Sequence, residues 1–119
     1  MSKSQLNLES EQHGESLVIR PVGVIDASNM DRFQKMMEEM CRKESPRLVL
    51  DCHDLSYMNS SSFGLLFHFH RLCESHNGDF RICRVPHKID SVIRILGLHS
   101  ILYIHKSLED ALARQSGPA

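Results

Sequence analysis

The 119-residue sequence lacks several features on which common protein functions depend. It has no tryptophan, only 6% aromatic residues and a formal net charge of −1, so neither base stacking nor a basic surface favours nucleic-acid binding. No apolar run approaches the length of a membrane-spanning helix, and the polar start of the chain is unlike a signal peptide. We therefore expect a cytoplasmic protein that neither inserts into a membrane nor binds nucleic acid.

Cysteine and histidine are present, but their spacing does not predict a metal site or a disulfide framework. None of the four cysteines forms a C-x-x-C pair, which is typical of reduced core residues. They are Cys41, Cys52, Cys73 and Cys83. Among the eight histidines, His68 and His70 are two residues apart, so a helix would point them in different directions. No metal and no cofactor are expected.

Two catalytic signatures are also missing. The sequence contains no G-x-x-x-x-G-K phosphate loop and no G-x-S-x-G nucleophile elbow. His53 and Asp54 precede a run of serines, but proximity in sequence does not make a catalytic triad. We expect no enzymatic activity, and a serine hydrolase is the less favoured alternative.

What the sequence does contain is an alternation of short apolar strands and amphipathic helices. Strands are predicted at about 6–8, 16–24, 47–52, 80–85 and 102–105, and helices at about 26–43, 61–75, 87–97 and 108–115. The order β-β-α-β-α-β-α-β-α predicts an α/β fold, with a mixed, mostly parallel sheet and helices packed on it. We predict one domain over residues 1–119, with an ordered core at about 6–115.

Capping residues and apolar spacing support the predicted helices. Asp26 or Ser28 is expected to cap the first helix, and Ser107 the last. Asn77 and Gly78 suit a left-handed turn after the second helix. Three-to-four spacing predicts buried stripes on the first two helices. Their members are Met30, Phe33, Met36 or Met37, Met40 and Cys41, and then Leu65, Leu66, Phe69, Leu72 and Cys73.

The most unusual stretch, residues 54–64, joins a buried strand to the second helix. It holds Asn59 followed by three serines, Ser60, Ser61 and Ser62, which is more than one helix cap requires. A phosphate is tolerated at a helix N-terminus, yet it adds about −1.5 to −2 charges to the surface. Phosphorylation here could therefore release a partner without unfolding the domain. Plain capping by Asn59 or Ser60 is the alternative, and the residues alone favour it.

Three segments resemble the signature of STAS domains, in the branch of bacterial anti-sigma-factor antagonists. Residues 50–64 are similar to its strand followed by Asp-Ser-Ser/Thr-Gly-Leu-Gly and a helix. Residues 22–26 resemble the family's Gly-x-Leu-Asp segment, and residues 93–104 resemble its ending, a Leu-Gly-Leu segment before the last strand. The segments occur in the family's order across nearly the whole chain.

The resemblance implies a regulator that switches partners. Members of the family bind an anti-sigma factor that is also a serine kinase, are released when it phosphorylates them, and are reset by a PP2C-type phosphatase. The corresponding position here is Ser61, with Ser60 and Ser62 as alternatives. The partner-binding residues that the resemblance implies are Tyr57, Met58, Asn59, Ser60, Ser62 and Phe63. The free protein is expected to be a monomer.

Two residues depart from the family pattern. Asn59 stands where the family usually has Asp, and Ser62 stands where it usually has Gly. Both departures favour the alternative function, a STAS module that is never phosphorylated. Such a module would serve as a docking or scaffold subunit in a stress-signalling complex or beside a transporter.

Overall fold

The computed structural model describes residues 5–113, which form one sheet with helices packed on it. The strands are β1 (Leu6–His13), β2 (Ser16–Ile25), β3 (Arg47–Asp51), β4 (Leu55–Met58), β5 (Asp79–Cys83) and β6 (Tyr103–His105). The α-helices are α1 (Met30–Cys41), α2 (Ser60–Ser75), α3 (His87–Ile95) and α4 (Leu108–Leu112), and Leu98–Ser100 forms a short 3₁₀ helix. The predicted continuation of the last helix to Gln115 lies outside the described residues.

The strand order β1-β2-β3-β5-β6 confirms the predicted mixed, mostly parallel sheet. Only β1 runs antiparallel, against β2. The structure has one strand more than the sequence predicts, because β4 lies within the segment that the sequence predicts as a turn before α2. β4 pairs with β2 at Gly23–Ile25, beyond residues 17–19 where β3 pairs. It therefore extends the sheet past the end of β3 and leads directly into α2.

A bulge at Gly23 marks the point at which β2 changes partner. Gly23 has a φ of +119°, and a Cβ there would lie 2.2 Å from the carbonyl oxygen of Gln5. Its amide donates to the carbonyl of Asp54 (3.1 Å), and its own carbonyl accepts from the hydroxyl of Ser56 (3.0 Å). Pro21 lies between the segment of β2 that pairs with β3 and the segment that pairs with β4, so its missing N–H costs neither pairing a hydrogen bond. The backbone at Gly23 thus fixes the path into β4.

The main core lies between the sheet and helices α1 and α2. Phe69 is its centre, with Phe33 and Phe80 packed edge-on at ring-centroid distances of 5.7 and 5.9 Å. Of the two predicted alternatives on α1, Met37 is buried whereas Met36 is 40% exposed. All four cysteines are buried, as the sequence predicted for several of them, and the structure joins none of them in a disulfide.

The opposite face of the sheet has a smaller core under α4. Val18, Val49 and Cys83 pack there against Ala111. Val49 lies between Leu48 and Leu50, which face the main core, so β3 is buried on both faces as predicted. No helix among residues 5–113 is long and apolar enough to cross a membrane.

Two helix ends agree with the residues that the sequence predicted for them. Ser107 accepts from the amide of Asp110 (3.0 Å), and Asn77 takes the left-handed conformation (φ +64°) after α2. The predicted caps of α1 were wrong. Asp26 instead accepts from the amide of Ser28 in a turn before the helix, and Asn29 is the N-cap residue. The Asn29 side chain bonds outside the helix, to Asp26 and Val24.

Candidate functional site

The first turn of α2 is fixed by two side-chain hydrogen bonds between Asn59 and Ser62. The Oδ1 of Asn59 accepts from the amide of Ser62 (3.1 Å), and the hydroxyl of Ser62 donates to the carbonyl of Asn59 (2.7 Å). The amide of Asn59 donates to the carbonyl of Ile25 (2.9 Å), which ties this turn to the end of β2. Plain capping by Asn59, one of the two predicted alternatives, is therefore present.

The three serines differ sharply in accessibility. Ser62 is completely buried and its hydroxyl is already bonded, so a kinase cannot reach it in this fold. Ser60 and Ser61 are both exposed on the first turn of α2. Two of the three predicted acceptors, Ser61 and its alternative Ser60, are thus open to a partner.

The predicted partner-binding residues divide in the same way. Tyr57 is 52% exposed at the end of β4, beside the start of α2. Met58 and Phe63 point into the main core, so they support this surface from below and cannot contact a partner directly. We refer to Tyr57, Asn59, Ser60, Ser61 and Gly64, the accessible residues of this region, as the serine surface.

The local charges suit a phosphate on the serine surface. The first turn of α2 carries no acidic side chain. The first N–H groups of a helix have no intrahelical partner and lie at the positive end of its dipole. A phosphate on Ser60 or Ser61 would therefore meet donors in its own helix, and the fold would tolerate it.

A serine-protease-like triad is not formed here. His53 and Asp54 contact each other (Nδ1 to Oδ1, 3.0 Å) on the exposed turn between β3 and β4. Within the described part of the chain, no hydrogen bond joins the His53 ring to a serine hydroxyl. Over the same residues, no three His, Cys, Asp or Glu side chains lie close enough to hold a metal ion.

A buried carboxylate lies at the end of β3, and the sequence analysis missed its role. Asp51 is fully buried and accepts from Arg20 Nε (3.0 Å) and Arg84 Nε (2.9 Å). It also accepts from the amide of His53 (3.3 Å), in the turn that leads to β4. Burial alone would raise the pKa of Asp51, but the bonds from Arg84 and Arg20 outweigh it and hold that pKa below its ordinary value.

The sequence did contain signals for this cluster. Asp51 directly follows three buried apolar residues, and Arg20 interrupts the apolar pattern of β2. A charge at a buried strand end requires a partner of opposite charge. The partners lie 31 and 33 residues away, so only the parallel pairing of the strands brings them together.

Comparison with known proteins places the whole fold in one family. The model of the STAS domain matches residues 7–111. The chain is 27% identical over 108 residues to the anti-sigma F factor antagonist of Paenibacillus polymyxa, covering 90% of this chain and 92% of that protein. The crystal structure of an anti-sigma factor antagonist from Mycobacterium paratuberculosis has a TM-score of 0.81 and 19% identity, with 91% and 92% of the two chains covered.

The Bacillus protein SpoIIAA has the same fold in two chemical states. Its unphosphorylated form gives a TM-score of 0.71 and its phosphorylated form 0.66, each at 21% identity. The match covers 91% of this chain in both cases, and 93% and 96% of the two SpoIIAA chains. At these identities the structural likeness establishes the architecture of the chain.

Proposed function

The chain belongs to the STAS domain family, and from this premise we propose that it is an anti-sigma-factor antagonist that works by partner switching. In its unphosphorylated state it binds an anti-sigma factor that is also a serine kinase. Phosphorylation on the serine surface releases it, and a PP2C-type phosphatase resets it. The proposal depends above all on one observation, the exposure of Ser60 and Ser61 at the start of α2 beside the exposed ring of Tyr57.

Ser61 is the preferred phosphorylation site. Its place in the segment that resembles the family signature corresponds to the position that family members phosphorylate, and it is exposed. Ser60 is also exposed on the same turn and is the alternative. The burial of Ser62 argues against it as a third candidate.

Phosphorylation would act through the surface and leave the core unchanged. The added charge of about −1.5 to −2 would lie next to Tyr57, which offers a partner an apolar ring. A partner that covers this surface would have to remove water from the phosphate, which costs several kcal/mol unless new donors pair with it. The free protein keeps the phosphate at the helix terminus, where the N–H groups stabilise it.

The departures from the family pattern are compatible with this switch. Asn59 supplies the same cap that an aspartate would supply, through Oδ1. The Ser62 side chain turns inward to the carbonyl of Asn59 and adds no bulk to the surface that a kinase would approach. Asn59 does lack a carboxylate charge, and this one feature favours the alternative of a STAS docking module that is never phosphorylated.

Intact-mass measurement with purified anti-sigma-factor kinases from the source organism and ATP separates these possibilities. We expect wild type and Ser60→Ala to gain one phosphate, and Ser61→Ala to gain none. If Ser60→Ala gains no phosphate while Ser61→Ala gains one, the phosphorylation site is Ser60. If no kinase phosphorylates the wild type while one binds it tightly, the docking-module alternative replaces the switch.

We further propose that the protein acts in the cytoplasm together with the partners proposed above, and that it is not an enzyme. The geometry around His53 supports the second point, because no serine hydroxyl among residues 5–113 is bonded to that ring. A serine-reactive fluorophosphonate probe should therefore leave the protein unlabelled. Labelling that disappears in Ser60→Ala or Ser61→Ala would contradict this.

A further inference from the structure

A cavity of about 300 Å³ opens at the carboxyl ends of β5 and β6, away from the serine surface, with which it shares no residue. The β5–α3 connection, the first turns of α3 and the end of β6 enclose it. In open α/β sheets, ligands bind at the carboxyl ends of the strands. The volume is at the lower end of the range for small-molecule sites, so it suits a ligand of few atoms.

The cavity is lined by more positive than negative groups. Arg84, Arg94 and Lys106 contribute cationic side chains, and Asp90 contributes the single carboxylate. Asp90 already forms an ion pair with Arg94, whose Nε donates to it at 2.9 Å. The charge of the lining therefore favours an anion and disfavours a cation.

Donor groups on these side chains are left over after the internal contacts are made. Arg84 uses Nε and Nη2 on Asp51, which leaves its Nη1. Asp51 also accepts from Arg20, whose Nη1 lies 3.7 Å from a carboxylate oxygen of Glu9. Arg94 bonds within residues 5–113 only through Nε, to Asp90, which leaves both Nη groups. Lys106 makes no ion pair with any residue between 5 and 113.

From this arrangement we propose that the cavity binds a small phosphate-type dianion through Arg84, Arg94 and Lys106. A guanidinium presents parallel donors that match the oxygens of phosphate, and an ammonium adds a point charge. Chloride would be attracted by the positive charge of the lining, but a single ion cannot accept both parallel hydrogen bonds of a guanidinium group in the way that two phosphate oxygens can. A carboxylate ligand carries one negative charge less than the dianion, so the cationic lining would attract it less strongly.

The test is a titration of the full-length, ¹⁵N-labelled protein followed by backbone amide shifts. One sample is titrated with inorganic phosphate, and a control sample is titrated with sodium chloride at the same ionic strength. Methyl phosphate is titrated in parallel. We expect saturable shifts at residues 84–85 and 104–106 with phosphate, and none of comparable size with chloride. Stronger binding of methyl phosphate would indicate that the natural ligand is a phosphate ester, and stronger binding of inorganic phosphate would indicate the free ion.

Two charge-reversal variants make the test specific. Lys106→Glu should weaken phosphate binding by about tenfold or more, because it replaces a donor by a repelling carboxylate. Lys35→Glu, at an exposed lysine of α1 that does not line the cavity, makes the same change in net charge and should alter the affinity by less than about twofold. Arg94→Gln provides a second lining variant, and amide spectra of each free protein check that it is folded.

Three results would overturn the proposal. The first is the absence of saturable shifts up to about 20 mM phosphate, an affinity too weak for a formed site. The second is equal weakening by Lys35→Glu and Lys106→Glu, which would mean attraction to overall charge. The third is a set of phosphate shifts centred on the first turn of α2. Ser61→Ala should bind phosphate as wild type does, so this test is independent of the partner switch.

Discussion

At the scale of single residues, Asp51 shows how one buried charge organises the ends of several strands. It joins Arg20 of β2 to Arg84 after β5, and it holds the turn that leads from β3 to β4. A buried carboxylate is stable only when such donors surround it. Its importance for the serine surface is therefore indirect, through the position of β4.

Replacing Asp51 should destabilise the fold in a pH-dependent way. Asp51→Asn should lower the free energy of unfolding at pH 7 by about 2 to 3 kcal/mol. This loss is smaller than the cost of breaking a fully buried ion pair, because the side chains of Arg20 and Arg84 are partly exposed to solvent. Because the pKa of Asp51 is lowered by folding, its contribution is fully present above the unfolded pKa of about 3.9 and is lost as the pH falls through the folded pKa.

Urea unfolding of wild type and Asp51→Asn at several pH values measures this effect. The difference in unfolding free energy should shrink as the pH falls below about 4. Glu39→Gln, which removes an exposed carboxylate from α1, should change stability by less than about 0.5 kcal/mol at every pH. A constant difference between wild type and Asp51→Asn from neutral to acidic pH would show that the charge of Asp51 does not stabilise the fold.

At the scale of elements, the path from β2 through β4 into α2 determines where the serine surface lies. The sequence correctly predicted α2 and its start to within one residue. It did not predict β4, because Tyr57 and Ser56 are exposed and the strand is only four residues long. The pairing of β4 depends on the bulge at Gly23, and a contact over more than 30 residues is not visible in local patterns.

Gly23→Ala should destabilise the protein by about 2 kcal/mol or more. An added Cβ would collide with the backbone oxygen of Gln5, and the positive φ strains any residue other than glycine. Gly64→Ala is the matched control, because its Cβ would meet nothing within 4 Å on the surface of α2. That change should stabilise the protein by about 0.5 to 1 kcal/mol. Thermal unfolding of both variants tests the pair, and equal effects would contradict this role for Gly23.

The cap of α2 can be tested separately. Asn59→Ala removes the acceptor for the amide of Ser62 and should cost about 1 kcal/mol of unfolding free energy. Asn59→Asp keeps an acceptor and adds a negative charge at the helix N-terminus, so it should be at least as stable as wild type. Denaturant unfolding compares the three proteins. If Asn59→Ala were as stable as wild type, capping would not explain the presence of Asn59.

At the scale of the whole molecule, the α/β order, the buried strand β3 and most of the helical stripes followed from hydrophobic spacing. Hydrophobic spacing could not predict which of the three serines is exposed to solvent, because their exposure depends on which side of the first turn of α2 faces the core. The structure separates buried Ser62 from exposed Ser60 and Ser61. Local sequence patterns also could not predict clusters that form between distant strands, such as Asp51 with Arg20 and Arg84.

We expect phosphorylation on the serine surface to release a partner while the fold is retained. The most direct test of this release is isothermal titration of the anti-sigma-factor kinase with the unphosphorylated and the phosphorylated full-length chain. We expect the phosphorylated chain to bind at least about 50-fold more weakly, with Ser61→Glu also weakened and Ser61→Ala as tight as wild type. Equal affinity of the two forms, with phosphate confirmed on Ser61, would contradict the account.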